Sequence, residues 1–313
     1  MDISKVLIHK NASIGFTGII SLTENPDNHP CAIGGIRCLP VSFDDALADA
    51  QRLSISMYHK AKNFHLPHFG GKSFIIQPPT ATRKDCMIAF AKMLNELHGQ
   101  YIGSFDSGIT KDDLNIIGQH SPYTAAYGDT IECGNVTAMG VFYSILAVAD
   151  SLEKPLQKYH IAIQGLGAVG SALAKLCLNA GAKVTASDTN PERLAHWQSH
   201  VNIVSPDKIL STPCDVLAPC ALSHSINMNN AKQLNCNIIC GGANNQLEHE
   251  SIIDILKQKH ILFIPEGLNN VGGLMLQSHY FNHPNTPFNH QQLERIKDAV
   301  QAYISHHTSA ISQ

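Results

Sequence analysis

The 313-residue chain is poor in charge. Asp, Glu, Lys and Arg make up 15% of it, and 22 basic against 25 acidic residues leave a formal net charge of −3. That gives no electrostatic footprint for nucleic acid or for an anionic membrane surface. No apolar window is expected to reach the length of a membrane span. The start, MDISKVLIHKN, lacks the long apolar core of a secretory signal. None of the nine cysteines stands in C-x-x-C spacing, although Cys236 and Cys240 bracket three residues of a strand-like run. An odd count without an export signal is expected to mean reduced, mostly buried thiols in the cytoplasm. The eighteen histidines include no H-E-x-x-H frame. The densest group, His59, His65 and His68, has no comparable ligand spacing, so no metal site is expected. Internal repeats and low-complexity tracts are absent. The length suffices for one large or two ordinary domains.

Against these absences, residues 160–188 stand out. Ile161, Ala162 and Ile163 form an apolar run suited to a buried parallel strand. Gly165, Gly167 and Gly170 follow in G-x-G-x-x-G spacing, and an apolar helix over Ala172 to Ala180 is stopped by Gly181. A second strand, Val184 to Ser187, ends at Asp188. This strand–helix–strand context turns a weak glycine pattern into a dinucleotide fingerprint. The first glycine permits the tight turn, the second lets backbone approach a pyrophosphate, and the third lets helix pack on strand. The N-terminus of that helix offers free N–H groups to the phosphates, and Ala168 and Val169, between the second and third glycines, are expected to bind the cofactor. Asp188 suits a ribose with free hydroxyls and repels a 2′-phosphate, which favours NAD over NADP. The nearest arginine is Arg193.

The rest of the chain alternates strand and helix signals. Strands are expected at 6–9, 18–22, 32–38, 74–76 and 101–102. Ser42 is placed to cap a helix running toward Lys60, with Asp45 in a capping-box position. A further helix is expected over 83–97, and a long one over 134–152 that would link two domains. Strands at 160–164, 184–187, 215–218, 237–240 and 261–265 fit a doubly wound sheet, and a helix near 291–304 closes the chain. The expected division is 1–134, 135–275 and a C-terminal helical segment, 276–313.

The first domain must supply the chemistry. Its candidates are Lys72 in the run Phe69-Gly70-Gly71-Lys72-Ser73, placed at the start of a strand, Lys60 near a helix end, and Asp106 at a strand end. Two neighbouring lysines depress one pKa. A lysine neutral near working pH can take a proton from water, the other can hold a substrate carboxylate, and an Asp can exchange a proton with an amine. Taken singly, Lys60 also fits a solvated helix end, and Asp106 a turn.

Several blocks in order resemble the amino-acid dehydrogenase family that includes the glutamate, leucine, phenylalanine and valine enzymes, and most closely its leucine/phenylalanine branch. They are AIGGIR at 32–37, MYHK at 57–60, GGK at 70–72, FDSG at 105–108, VTAMGV at 136–141, QGLGAVG at 164–170, CDVLAPCAL at 214–222, GGANNQL at 241–247 and PEGLNNVGG at 265–273. The resemblance implies an α/β fold of two domains: a substrate domain with a mixed sheet and a Rossmann NAD-binding domain, with a cleft between them. It implies that Lys72 activates water and that Asp106 shuttles protons at the amino group. Lys60 and Asn270 would bind the substrate carboxylate, with Gly34, Ile33 and Met57 also at the substrate. Thr137 would lie near the nicotinamide carboxamide, and Asn244 and a loop around Ala218 and Pro219 would line the cofactor cleft. Glutamate-specific members place a lysine where Ile33 stands, so Ile33 argues for an apolar side chain.

The implied reaction is NAD-dependent, reversible oxidative deamination of a branched-chain or aromatic L-amino acid (leucine, valine, phenylalanine or tryptophan) to its 2-oxo acid and ammonia. Two alternatives stand beside it: a hydroxy-acid dehydrogenase, which would use a His-based relay, and a catalytically inactive NAD-binding regulatory or scaffold protein of the same fold. The chain departs from the family at Phe105, at Ile109, in His68 and Phe69 before Gly70, and in the region of Glu132 and Cys133, changes that would reshape the pocket. It is also short at its ends, from which a small homo-oligomer, a dimer, is expected.

Overall fold

The computed structural model describes residues 1–125, 130–221 and 223–307, with backbone alone at 130 and 131. The chain forms two compact units, Met1–Cys133 with Leu274–Phe288, and Gly134–Gly273 with Asn289–Gln313.

The first unit is built on a six-stranded sheet. In chain order its elements are β1 (Ile3–Asn11), β2 (Phe16–Thr23), β3 (Cys31–Leu39), α1 (Phe43–Asn63), β4 (His68–Ile76), α2 (Arg83–Glu96), β5 (Tyr101–Ser104), α3 (Lys111–His120) and β6 (Thr124–Ala125). The strand order is β1-β2-β4-β3-β5-β6. β1, β2 and β4 pair antiparallel, while β3 pairs parallel with β4 and β5, so the sheet is mixed. Alternation along the strands separates two faces. Ile20, Leu22, Ala32, Ile36, Cys38, Phe69 and Ile75 pack with Met87, Phe90 and Leu94 of α2 and Leu114 and Ile117 of α3. Ile19 and Phe74 pack instead with Ala46 and Ala50 of α1. By the same alternation Ile33, Gly35, Arg37, Gly70 and Lys72 belong to the α1 face.

α1 is bounded by its own chemistry. Ser42 Oγ accepts from the Asp45 amide at 3.2 Å and donates to its carboxylate at 2.6 Å. Asp44 and Asp45 occupy the first turn and Lys60 and Lys62 the last, each suited to the helix dipole. Two expectations change in this unit. β4 starts at His68, so Lys72 lies inside the strand rather than at its start. The glycine pair, expected to precede the strand, lies inside it as a requirement of close packing: a Cβ on Gly70 would lie 2.2 Å from Ser54 O of α1, and one on Gly71 2.7 Å from Ala32 Cβ. α3 has no counterpart among the expected helices; a Thr110–Asp113 capping box starts it.

The second unit follows α4 (Thr130–Ser151), β7 (His160–Gln164), α5 (Ala168–Asn179), β8 (Lys183–Ser187), α6 (Pro191–Trp197), β9 (Asn202–Ile203), β10 (Cys214–Pro219), β11 (Cys236–Ile239), α7 (Ile252–Gln258), β12 (Leu262–Phe263), α8 (Glu266–Asn269), α9 (Gly272–Asn282) and α10 (Glu294–His307). The chain crosses between units inside α4, inside α9 and after Phe288. All six strands are parallel, in the order β12-β11-β10-β7-β8-β9. Read from β9, this is the doubly wound order 3-2-1-4-5-6, whose switch point falls between the carboxyl ends of β7 and β10. The helix after β7 begins at Ala168, earlier than the apolar run suggests, because Gly167 is its N-cap. Ala218 and Pro219 end β10 in register with Ile163 and Gln164 rather than standing in a loop. The last strand is reduced to Leu262–Phe263.

α4 corrects one expectation. Its Glu132–Ser151 stretch is long and apolar enough to cross a membrane by length and composition. Here that apolarity serves packing: Val136, Ala138, Val141, Ile145, Ala147 and Val148 are buried.

The β3–β4 contact rests on glycine. A Cβ on Gly34 would lie 2.0 Å from the Gly71 carbonyl oxygen, an atom that cannot move aside. Gly34→Ala is therefore expected to destabilise the fold by about 1–3 kcal/mol, read as a lower urea midpoint with unchanged slope.

Candidate active site

In the first unit, Lys72 and Asp106 meet. Lys72 is 4% exposed, and its Nζ donates a short hydrogen bond to Asp106 Oδ2. Asp106 is delivered by the turn after β5. Gly108 takes φ +81° there, and a Cβ on it would strike Cys38 O at 1.7 Å. The Ser107 amide donates to Asp106 Oδ1 at 2.6 Å, and the Cys38 amide bonds Ser107 O at 2.9 Å, fixing the turn to β3. Gly35 makes room for the carboxylate, since a Cβ there would stand 2.6 Å from Asp106 Cβ.

Two residues outside the expected set complete this cluster. Arg37 of β3 places Nε 3.5 Å from Asp106 Oδ2 and Nη2 3.5 Å from Oδ1. Its Nη1 bonds Asp49 Oδ2 of α1 at 2.7 Å, and Asp49 Oδ1 bonds Arg52 at 2.7 Å. Burial pushes the Lys72 pKa below the ordinary lysine value; Asp106 opposes this and Arg37 adds to it. Burial works against ionising Asp106, but Arg37 and Lys72 outweigh it and hold the carboxyl well below the usual range. Sequence reasoning missed Arg37 although it closes the AIGGIR block; the signal was its strand period, two residues beyond Gly35.

Lys60 is buried at 4% in the last turn of α1, which excludes a solvated helix end. Ala61 and Phe64 beside it are also buried, so the inner face of α1 runs through to its end. Ile33 is fully buried on the α1 face, and Met57 of α1 is half-buried. His68 is buried and its Nε2 lies 2.8 Å from Ser278 Oγ, whereas His59 and His65 are exposed. Burial pushes the His68 pKa down to about 4, so the ring is neutral.

The second unit carries the residues expected at the nucleotide. Gly165 has φ +92°, and a Cβ on it would meet Ala221 at 2.8 Å. A Cβ on Gly170 would lie 1.8 Å from Gly165 O, so this glycine seats α5 on the turn. Gly167 differs: a Cβ there would meet only Arg193 Nη1, at 3.9 Å. It caps α5 without a side-chain bond. Nothing inside the chain demands a glycine at this position, whereas a close-lying phosphate would. Asp188 follows β8; its Oδ2 accepts from the Leu166 amide at 2.6 Å and its Oδ1 from the Asn190 amide at 2.8 Å. Arg193, set aside in the sequence as merely the nearest arginine, places Nη1 3.4 Å from Asp188 Oδ2.

A second loop assembles Asn244, Asn270 and Thr137. Asn270 Nδ2 donates to Gly242 O and Ala243 O at 3.2 Å and to Asn244 Oδ1 at 3.1 Å. These three acceptors fix the amide orientation and leave Oδ1 buried without a partner among the described residues. A Cβ on Gly272 would lie 2.3 Å from Val136 O, so Thr137 of α4 stands beside the 265–273 block. The loop over 241–247 hangs on Glu266, which sequence reasoning also missed. Its carboxylate accepts from the Asn245 amide at 2.5 Å and the Gln246 amide at 3.1 Å.

The doubly wound sheet with its glycine turn and the acid after β8, and a separate unit with buried lysines, define a dehydrogenase-type α/β protein. A profile described as Glutamate/Leucine/Phenylalanine/Valine dehydrogenase matches residues 132–192 and 187–310. A leucine dehydrogenase of Thermoactinomyces intermedius is 35% identical over 258 residues, 78% of this chain and 69% of that one. A phenylalanine dehydrogenase of Caldalkalibacillus thermarum is 32% identical over 296 residues, 90% of this chain and 80% of that one. The crystal structure of L-tryptophan dehydrogenase from Nostoc punctiforme aligns with TM-score 0.75 at 30% identity, covering 98% of this chain and 91% of that chain. The chain belongs to the Glutamate/Leucine/Phenylalanine/Valine dehydrogenase family.

Glu266→Gln removes the charge that collects two backbone donors. The Asn245 and Gln246 amides are expected to exchange hydrogen about tenfold faster, as the loss of about 1.4 kcal/mol predicts. Amide exchange followed by mass spectrometry or NMR checks this, and unchanged rates would remove Glu266 as the anchor.

Proposed function

We propose that the protein catalyses the reversible, NAD-dependent oxidative deamination of an apolar L-amino acid to its 2-oxo acid and ammonia. The observation that carries this reading is the buried Lys72–Asp106 pair, with Lys60 buried on the neighbouring helix. A lysine held below its ordinary pKa beside a carboxylate suits imine hydrolysis, which needs both a base for water and a proton carrier for nitrogen. A hydroxy-acid dehydrogenase would want a His-based relay instead. The open face of Gly167, the uncapped start of α5 and Asp188 fit a dinucleotide with an unphosphorylated ribose.

When bound, the nicotinamide supplies the acceptor for the hydride leaving the substrate Cα. Lys60 holds the α-carboxylate as its counter-charge. Once the substrate carbon carries an iminium, neutral Lys72 takes a proton from the water that adds to that carbon. Asp106, an ionised carboxylate, relays that proton from Lys72 to the nitrogen; the C–N bond breaks, the hydroxyl proton returns to Lys72, and ammonia leaves the 2-oxo acid. Burial of both groups strengthens their charge interactions. Ile33, buried and apolar on the α1 face, supports an apolar substrate side chain, because a substrate carboxylate placed there would lie unpaired. The relatives named for leucine, phenylalanine and tryptophan are in line with this. The nine cysteines are free thiols, which suits a reducing compartment such as the cytoplasm.

Three outcomes test the proposal. Mixed with NAD and a panel of L-amino acids at mildly alkaline pH, the protein is expected to generate NADH absorbance with leucine, valine, phenylalanine or tryptophan. Lys72→Ala should abolish that signal while NAD affinity by calorimetry stays within about twofold; full activity in the variant would remove Lys72 from the chemistry. Asp188→Ala should erode the preference for NAD over NADP by about tenfold, equivalent to about 1.4 kcal/mol, because it removes the ribose acceptor and releases Arg193. An unchanged cofactor ratio would contradict the role of Asp188.

A further inference from the structure

Four charged side chains from four parts of the fold form one line: Lys72 on β4, Asp106 after β5, Arg37 on β3 and Asp49 on α1. Arg52 closes it at the surface end of Asp49, with its own side chain 42% exposed. Lys72 and Arg37 compete for the same carboxylate. Arg37 Nε is buried with no hydrogen-bond partner among the described residues, its contact to Asp106 Oδ2 being an ion pair at 3.5 Å. A guanidinium buried so deeply is retained only where its charge is answered, and Asp49 and Asp106 are what answer it.

We propose that Arg37, anchored by Asp49, is the positioning residue that keeps Asp106 ionised and turned toward Lys72, and so sets the pH at which Lys72 can act as a base. This rests on the amino-acid dehydrogenase reading for its catalytic consequence, and on geometry alone for its electrostatic one. Arg37 touches neither the water nor the substrate nitrogen in that scheme; it acts through Asp106.

The charges around Lys72 have opposite signs of effect. Burial and Arg37 favour the neutral amine, whereas Asp106 and Asp49 favour the ammonium. α1 also brings Arg52 behind Asp49, and Tyr58 and Lys60 further along; β5 brings Tyr101; β2 places the uncharged Ser21 in register with Lys72. Removing Arg37 therefore makes Lys72 harder to deprotonate, and removing the Asp49 charge makes it easier. A purely structural role would give no such opposition, since both changes would simply loosen the same cluster.

The test uses Arg37→Met, Arg37→Lys and Asp49→Asn in the full chain, each first shown to be folded by thermal melting. Two readouts follow: the pH dependence of kcat/KM, which reports free-enzyme groups, and a direct NMR titration of the Lys72 Nζ in 15N-lysine-labelled protein, assigned with Lys72→Met. Arg37→Met is expected to move the rising limb and the NMR midpoint up by about one pH unit, and Asp49→Asn to move both down. Arg37→Lys, which keeps the charge without the planar fork, should return the midpoint close to that of the unmodified protein. Should Arg37→Met fail to fold, Asp49→Asn decides: a downward shift supports the assignment, and an upward or absent shift overturns it. Parallel shifts in the two charge-removing variants overturn it as well. Opposed NMR shifts with no NADH formed by any form of the protein would keep the electrostatic assignment and remove the deaminase reading. Turnover without opposed shifts would do the reverse.

Discussion

Burying an ammonium beside a carboxylate is costly unless every charge has a partner, and the first unit is arranged around meeting that condition for Lys72. Asp106 answers the lysine, Arg37 answers Asp106, and Asp49 answers Arg37, each from a different element. The chain of compensation ends where Arg52 reaches solvent. Only a mixed sheet with α1 across one face brings these groups together, because Arg37 and Lys72 sit on adjacent strands and Asp49 on the helix above them. The backbone then has to come unusually close. Gly35 clears space for Asp106, Gly70 lets α1 settle on β4, and Gly34 and Gly71 let β3 and β4 pack with Tyr101 on the opposite face. The glycine pairs are the steric condition of an electrostatic site.

The second unit uses glycine differently. Gly165 and Gly170 are demanded by neighbouring protein atoms at 2.8 and 1.8 Å, whereas Gly167 faces open space. The contrast separates the glycines that build the turn from the one that no neighbouring protein atom demands. Glu266 and Asn270 do comparable work on the neighbouring loop, one collecting backbone donors and the other collecting carbonyl acceptors. Between them the loop over 241–247 is held from two sides without any regular secondary structure.

Much of this was legible in the sequence. The nucleotide turn could be read because its signal is local: strand, three glycines, helix and acid fall within 29 consecutive residues, 160–188. The Ser42 cap, the parallel strands at 160–164 and 184–187, and the pairing of Lys72 with Asp106 expected from the family blocks also hold in the structure. What escaped was non-local or ambiguous in period. Arg37 and Asp106 are 69 residues apart, and nothing in either segment announces the other. Gly70 and Gly71 were placed ahead of the strand because glycine weakens an isolated strand; only the packing of α1 and β3 around them shows why no side chain fits. The apolar length of α4 was overlooked; a buried helix and a membrane span share that signal. Arg193 was judged by its distance along the chain, though one turn of α6 brings it back over Asp188.

The path of the backbone between the units has a consequence for dissection. Leu274–Phe288 belongs with the first unit although more than a hundred residues of the second intervene before it. Within that returning segment Met275, Leu276 and Ser278 are buried, and Ser278 closes the hydrogen bond to His68 at the foot of β4. A fragment ending near residue 133 would expose that imidazole and the apolar floor around it. Neither half is thus a cassette that can be cut out by one scission and grafted elsewhere; engineering that exchanges cofactor modules among relatives would have to carry both strokes of the chain.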